Sequence, residues 1–240
     1  MVKVAAMSDL HGELIGLEQE VDLLLLGGDI VPLKLQENDR KSEKWFKEEF
    51  IPWAEGQPTK KVILVAGNHD RYLSNNGTDK FRSLLPGKII YLENSMTLIP
   101  DGENRVIAIY GTPLCKPFGN WYFMPPLEKQ AEVFDSLWQK RFEPSGDTPL
   151  EVKSILLSHD SPYGCSDIVL DKTCPWYSGE HIGNPELKAL IERLKPTINL
   201  HGHLHTTNHE AEWIGETEVR CVSVLDEQYK VAYKPYYFEI

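Results

Sequence analysis

Five short runs in this chain carry residues able to do chemistry together: Asp9-Leu10-His11, Gly28-Asp29, Gly67-Asn68-His69-Asp70, Ser158-His159 and Gly202-His203-Leu204-His205. Each directly follows an apolar segment. Carboxylate and amide oxygens combined with imidazole nitrogens are donors that first-row transition metals accept, and donors held at several strand ends suit a pair of ions. Two cations close together clamp a phosphoryl group and stabilise the entering and leaving oxygens, so the chemistry indicated is phosphate-ester hydrolysis. Singly, Asp9, Asp29 and Asn68 read as turn or cap residues, and His159 as a buried imidazole. The ordered set of five runs carries the metal reading.

The elements needed to deliver those runs are legible. Apolar stretches at 2–7, 22–26, 61–66 and 152–157 read as buried strands, and 197–200 as a short one. Helical spacing is expected over 13–20, with Leu14, Leu17 and Val21 on one face, and over 39–54, where Trp45, Phe46, Glu49, Phe50 and Trp53 recur at helical spacing with Pro52 near the end. Further helices are expected at 78–85, 127–142 and 185–194, the last with Pro185 at its start and Pro196 beyond its end. Strand and helix alternate through the first half, the signature of a parallel sheet covered by helices. Strands at 88–92, 97–99 and 105–110 follow, the last two joined by a turn over 100–104. The tail, 209–240, alternates as antiparallel strands with turns at Gly215 and Asp226. A parallel first half and an antiparallel tail imply two sheets packed face to face with helices outside, in one domain over 1–240.

Metal-bearing loops at the carboxyl ends of such strands share one sheet edge, where open α/β sheets bind ligands. In Asp9-x-His11 and His203-x-His205 an extended backbone would point both side chains the same way. Glycines before Asp29, Asn68 and His203 permit sharp turns and close approach.

The 240 residues are 41% hydrophobic, ample for a core, and carry a net charge of -11. Such acidity repels a nucleic-acid backbone and disfavours nucleic acid as a partner, whereas bound cations would make a local positive spot for a small phosphoester. No apolar run approaches the length of a membrane-spanning helix, so no membrane partner is expected. The first residues read as a strand rather than a signal peptide. Cys115, Cys165, Cys174 and Cys221 are scattered without a C-x-x-C pair, which fits reduced thiols in a cytoplasmic protein; a Cys165–Cys174 link is the alternative for that loop.

The ordered runs resemble the pattern D-x-H, G-D, G-N-H-D/E, H, G-H-x-H of the calcineurin-like metallophosphoesterases, over residues 9 to 205. The resemblance implies an α/β fold, a four-layer α/β/β/α sandwich of two mixed sheets with flanking helices, and two divalent or trivalent ions drawn from Mn, Fe, Zn, Co or Ni. By position, Asp9, His11 and His205 would hold one metal, Asn68, His159 and His203 the other, and Asp29 would bridge them. A water shared by the metals would become the attacking hydroxide. His69 would protonate the leaving oxygen, since imidazole exchanges protons near neutral pH, or stabilise charge on the phosphoryl oxygen, with a structural role as its alternative, and Asp70 would orient the site.

Two departures narrow the resemblance. The protein Ser/Thr phosphatases of that superfamily continue the second run as G-D-x-x-D-R-G. Here it reads Gly28-Asp29-Ile30-Val31-Pro32-Leu33, without the acidic partner of the catalytic histidine or the phosphate-binding arginine. Gly111-Thr112-Pro113, Phe118-Gly119-Asn120-Trp121 and Ser158-His159-Asp160-Ser161-Pro162 are instead similar to the small brain-type metallophosphodiesterase-domain branch. The expected activity is therefore hydrolysis of phosphodiesters of a small or nucleotide-like substrate, with a phosphomonoesterase or a non-catalytic scaffold as alternatives. Phe118, Trp121, Tyr122, Phe123, Trp176 and Tyr177 are expected to pack their loops onto the body, with a base-stacking wall as the second option. Arg71 reads as solvated or salt-bridged, with a phosphate contact as its alternative.

Overall fold

The strands β1 (Lys3–Met7) and β2 (Val21–Leu26), and the second half of β3 (Thr59–Leu64), are buried on both faces, and such strands require cover on two sides. In the computed structural model, which describes residues 1–144, 150–170 and 179–240, a second sheet covers one face and helices the other. β1, β2, β3 and β4 (Ile89–Tyr91) pair in parallel. The second sheet begins with the hairpin of β5 (Ser95–Pro100) and β6 (Arg105–Thr112), to which β7 (Glu151–Ser158) and β8 (Ile198–His201) add in parallel.

Alternation along each strand sorts the side chains. Val4, Ala6, Leu23, Leu25 and Ile63 meet Ile107, Ile109, Ile155 and Leu157 between the sheets. Their neighbours Ala5, Met7, Leu24 and Leu26 turn outward onto Phe46, Phe50, Ala54 and Phe81. On the far side, Ala108, Tyr110 and Leu156 pack against Phe134, Leu137, Leu187 and Ile191. These last four lie on two helices, Leu127–Gln139 and Pro185–Leu194. The result is a four-layer α/β/β/α sandwich of two mixed sheets, the expected architecture.

One expectation fails and two are met only in part, each for a physical reason. Residues 13–20 form no helix. Gly12 has φ +92°, and nearby amides take distant partners: Gly12 N–H donates to Ile30 O, Leu17 N–H to Gln57 Oε1 and Glu18 N–H to the Tyr237 hydroxyl. Leu14 and Leu17 still pack on the core. The 39–54 helix is real, but α1 (Asp39–Trp45) and α2 (Ile51–Gly56) are joined by a π-turn over Phe46–Phe50. Pro52 has no N–H to continue the ladder and crowds the preceding turn, and the wider turn accommodates it.

The tail is the third. β10 (Thr217–Cys221) joins β8 in parallel, β9 (Glu212–Ile214) folds onto β10 as a hairpin, and β11 (Tyr236–Glu239) crosses to pair antiparallel with β1 in the first sheet. The residue pattern marks these segments as strands but leaves open which backbone edge each will take. A short helix, α3 (Arg71–Asn76), also stands directly after Asp70 without a sequence signal of its own.

Phe46 is fully buried, with its ring 5.0 Å from Phe81, 5.5 Å from Phe50 and 5.8 Å from Tyr72. Phe46→Ala is expected to lower unfolding free energy by about 3–5 kcal/mol in denaturant titrations. A loss under about 1 kcal/mol would mean that the helical layer does not depend on this aromatic cluster.

Candidate metal centre

Backbone hydrogen bonds carry the ladder beyond the strand ends and hold the five loops in step. Gly27 N–H donates to Met7 O, Val65 N–H to Leu26 O, His159 N–H to Thr112 O and Gly202 N–H to His159 O. Ser8 joins the sheets, donating to Val222 O and accepting from Val224 N–H. Asp70 ties two loops together. Its buried carboxylate accepts from Ile30 and Val31 N–H beside Asp29, and from Gly67 N–H beside Asn68. Burial and the nearby Asp29 charge push Asp70 up to about 7, against the pull of those amides. Its oxygens face backbone, so Asp70 positions the loops.

The expected extended geometry of Asp9-x-His11 and His203-x-His205 is not what brings their side chains together. Asp9, His11, Asp29 and His203 have φ of 57°, 43°, 53° and 70°, a left-handed conformation that costs an L-residue roughly 1–2 kcal/mol. Each chain curls as it leaves its strand and turns the side chain back over the sheet edge. Close approach also demands glycine at two positions. A Cβ on Gly202 would stand 2.2 Å from Asp9 Oδ2, and one on Gly67 2.2 Å from Asp29 Oδ1.

All seven candidate ligands come together. The donor atoms of Asp9, His11 and His205 lie within 4.8 Å of one another, as do those of Asp9, Asp29 and His159. Asp29 Oδ2 stands 3.6 Å from His11 Nε2 and 3.4 Å from His159 Nε2, touching both halves of the cluster. Asn68 Oδ1 is 3.0 Å from His159 Nε2, and the His203 ring centre is 5.2 Å from that of His159. Asp9 further accepts from His203 N–H and the Ser223 hydroxyl.

The hydrogen bonds test whether metal fits. His159 Nδ1 lies 2.8 Å from Gly27 O, and His205 Nδ1 lies 2.9 Å from Asp226 O. A carbonyl can only accept, so each Nδ1 carries the proton and each neutral ring presents an Nε2 lone pair. Those lone pairs face oxygens of Asn68, Asp29 and Asp9, acceptor against acceptor. Only a cation between them, proton or metal, makes the arrangement favourable, and the backbone-anchored imidazole is what metal-ligating histidines use. His11 is buried with neither ring nitrogen hydrogen-bonded, and burial pushes its pKa down to about 4, keeping it a neutral donor. The donor set therefore fits transition-metal ions.

His69 is no part of those donor groups. Its Nε2 stands 4.0 Å from Asp29 Oδ2, and its Nδ1 lies 2.6 Å from Gln36 Oε1. The missing acidic partner is thus replaced by a neutral amide oxygen that fixes the Nδ1–H tautomer. No motif marked Gln36. Ser223, a polar residue inside the apolar run Val222-Ser223-Val224, was a signal that could have been read. Cys115 also approaches the cluster, its Sγ grouped with donors of His159 and His203. Arg71 is salt-bridged to Glu37 and Asp39. His181 pairs with Asp167, His209 stacks on Tyr233, and His201 is buried beside Gly202.

The aromatic loop divides. Phe123 packs into the core as expected, but Phe118 and Trp121 remain 49% and 36% exposed, lying over His203 and His69 respectively. Trp176, Tyr177 and Cys174 lie outside the described residues. Among the described residues no helix is long and apolar enough to cross a membrane, and Cys115, Cys165 and Cys221 are free thiols.

A family profile described as calcineurin-like phosphoesterase matches residues 2–207. A curated protein named probable rhamnogalacturonate lyase C, from Emericella nidulans, is 26% identical over 212 residues, 85% of this chain. The chain spans only 17% of that relative's length. The solved structure of TT1561 of Thermus thermophilus is similar with a TM-score of 0.59 at 16% identity, covering 92% of this chain and 88% of that one. Another solved chain gives a TM-score of 0.53 at 16% identity, over 91% and 89% of the two chains. At these identities the likeness is one of fold.

The metal-free protein should show the acceptor conflict in its pH dependence. Burial opposes the imidazolium, but Asp9 beside His205 and Asp29 beside His159 outweigh it and carry the two histidines up to about 9 and about 10. A pKa raised on folding stabilises fully below the unfolded value, about 6.5, and that contribution is lost as pH rises through the folded value. The melting temperature of chelator-treated protein is expected to fall between about pH 6.5 and about pH 10, and added metal to suppress the fall. Equal melting temperatures across that window without metal would contradict the proton's role as stand-in cation.

Proposed function

The chain belongs to the calcineurin-like phosphoesterase family, and from that premise we propose that it is a dinuclear metal-dependent phosphodiesterase acting on a small or nucleotide-like substrate. The observation that carries this reading is the set of buried imidazole nitrogens facing carboxylate and amide oxygens, with no lysine or arginine among them in the described residues. Asp9, His11 and His205 would hold one metal, Asn68, His159 and His203 the other, with Asp29 reaching both. When bound, such a pair polarises the phosphoryl group and makes water acidic enough to supply the nucleophile.

The chain's own residues perform the rest. Gln36 accepts from His69 Nδ1–H, so a proton for the leaving oxygen would come from Nε2 of the doubly protonated ring, on the side of Asp29. Asp70 holds the Asp29 and Asn68 loops at fixed separation. Phe118 and Trp121 offer exposed faces beside His203 and His69, suited to stacking an aryl or base group. A cleft of about 500 Å³ bordering His11, lined by Lys34, Trp45 and Tyr229, leaves room for the remainder of a diester. Arg71, engaged with Glu37 and Asp39, is left out of phosphate binding.

Paired chromogenic substrates test the reading. The metal-loaded protein is expected to hydrolyse bis-(p-nitrophenyl) phosphate with higher kcat/KM than p-nitrophenyl phosphate; the reverse order would make it a monoesterase. His69→Ala should keep its metal and fold while kcat falls about 10²–10⁴-fold on substrates with poor leaving groups. Wild-type turnover in that variant would remove His69 from proton transfer.

A further inference from the structure

Cys115 belongs to none of the five runs, yet its Sγ lies within 4.8 Å of ring-nitrogen donors of both His159 and His203. The residue is fully buried. Its backbone is held on two sides: the N–H donates to Phe123 O at 2.9 Å, and the carbonyl accepts from Gln130 Nε2 at 2.7 Å. Gln130 is itself buried and holds Asn184, the N-cap of the Pro185–Leu194 helix. The sulfur is therefore delivered by a framed segment at the end of β6. The thiol's own contact is a long one, Pro113 O at 3.5 Å, a weak anchor for a weak donor.

Two histidines and a cysteine within mutual reach form a donor set that zinc and cobalt favour, whereas manganese favours oxygen. Resting on the metal reading of the site, we propose that Cys115 supplies a sulfur ligand to the ion held by His159 and His203, biasing that position toward zinc or cobalt. On binding, the S–H bond breaks, its proton passes to solvent, and a sulfur lone pair forms the metal–sulfur bond. No oxidation accompanies the step. One of the two metal positions is thereby softer than the other, and the chain distinguishes its two ions by chemistry as well as place.

Cobalt(II) loading of the chelated full chain reads this directly, because thiolate–cobalt bonds give a near-ultraviolet charge-transfer band. The band is expected in the wild type and in Cys165→Ala, and absent in Cys115→Ala. Competition of Zn²⁺ against Mn²⁺ should lose about tenfold or more of its zinc preference in Cys115→Ala. Two bound equivalents without the band, or a band unchanged in Cys115→Ala, would overturn the sulfur ligand while leaving the metal centre standing. Failure of the wild type to bind cobalt at all would overturn both. Should circular dichroism show Cys115→Ala unfolded, X-ray absorption on the zinc-loaded wild type decides: sulfur scattering at about 2.3 Å supports the ligand, and a shell of nitrogen and oxygen alone refutes it.

Discussion

Asp9 and Asp29 are buried carboxylates whose only ionic neighbours among the described residues are imidazoles. Burying a carboxylate is strongly unfavourable unless positive charge and hydrogen bonds compensate it. Backbone N–H groups of His69 and His203 and the Ser223 hydroxyl supply part of that compensation. His159 and His205 supply the rest only with a cation, because Gly27 O and Asp226 O have already fixed which ring edge faces the carboxylates. The local negative charge is thus a standing demand for metal, consistent with a chain whose overall charge of -11 would otherwise repel a phosphoester.

Meeting that demand shapes the backbone. Four of the seven donors sit at positive φ, and two glycines give way to carboxylate oxygens that no side chain could approach so closely. This strain persists because the sheets beneath are over-determined. Val4, Ala6, Leu23 and Leu25 lock one sheet onto the other, Ser8 stitches their edges, and Asp70 binds the amides of two ligand loops at once. A carboxylate of the third run, adjacent to two candidate site residues, thus accepts from the backbone amides that flank them. The aromatic loop adds the accessible side of the site: Tyr122 N–H donates to Asn68 O, tying the segment that presents Phe118 and Trp121 to the metal-facing turn.

The sequence by itself determined the layers and named the candidate donors. Period-two alternation and doubly apolar strands require two packed sheets with helices outside, and donors that each follow such a strand must meet at one edge. It did not determine how the tail divides between sheets, since Tyr236–Glu239 and Thr217–Cys221 read alike as strands and their partners depend on which edges remain free. Nor did it predict the loss of a helix at 13–20, where distant acceptors captured the amides. Only the tertiary structure decided which residues support the site. Gln36, Ser223 and Cys115 reach it through contacts spanning 33, 214 and at least 44 positions. Spacing along the chain encodes local geometry, whereas the identity of a partner so remote depends on the packing of every layer between.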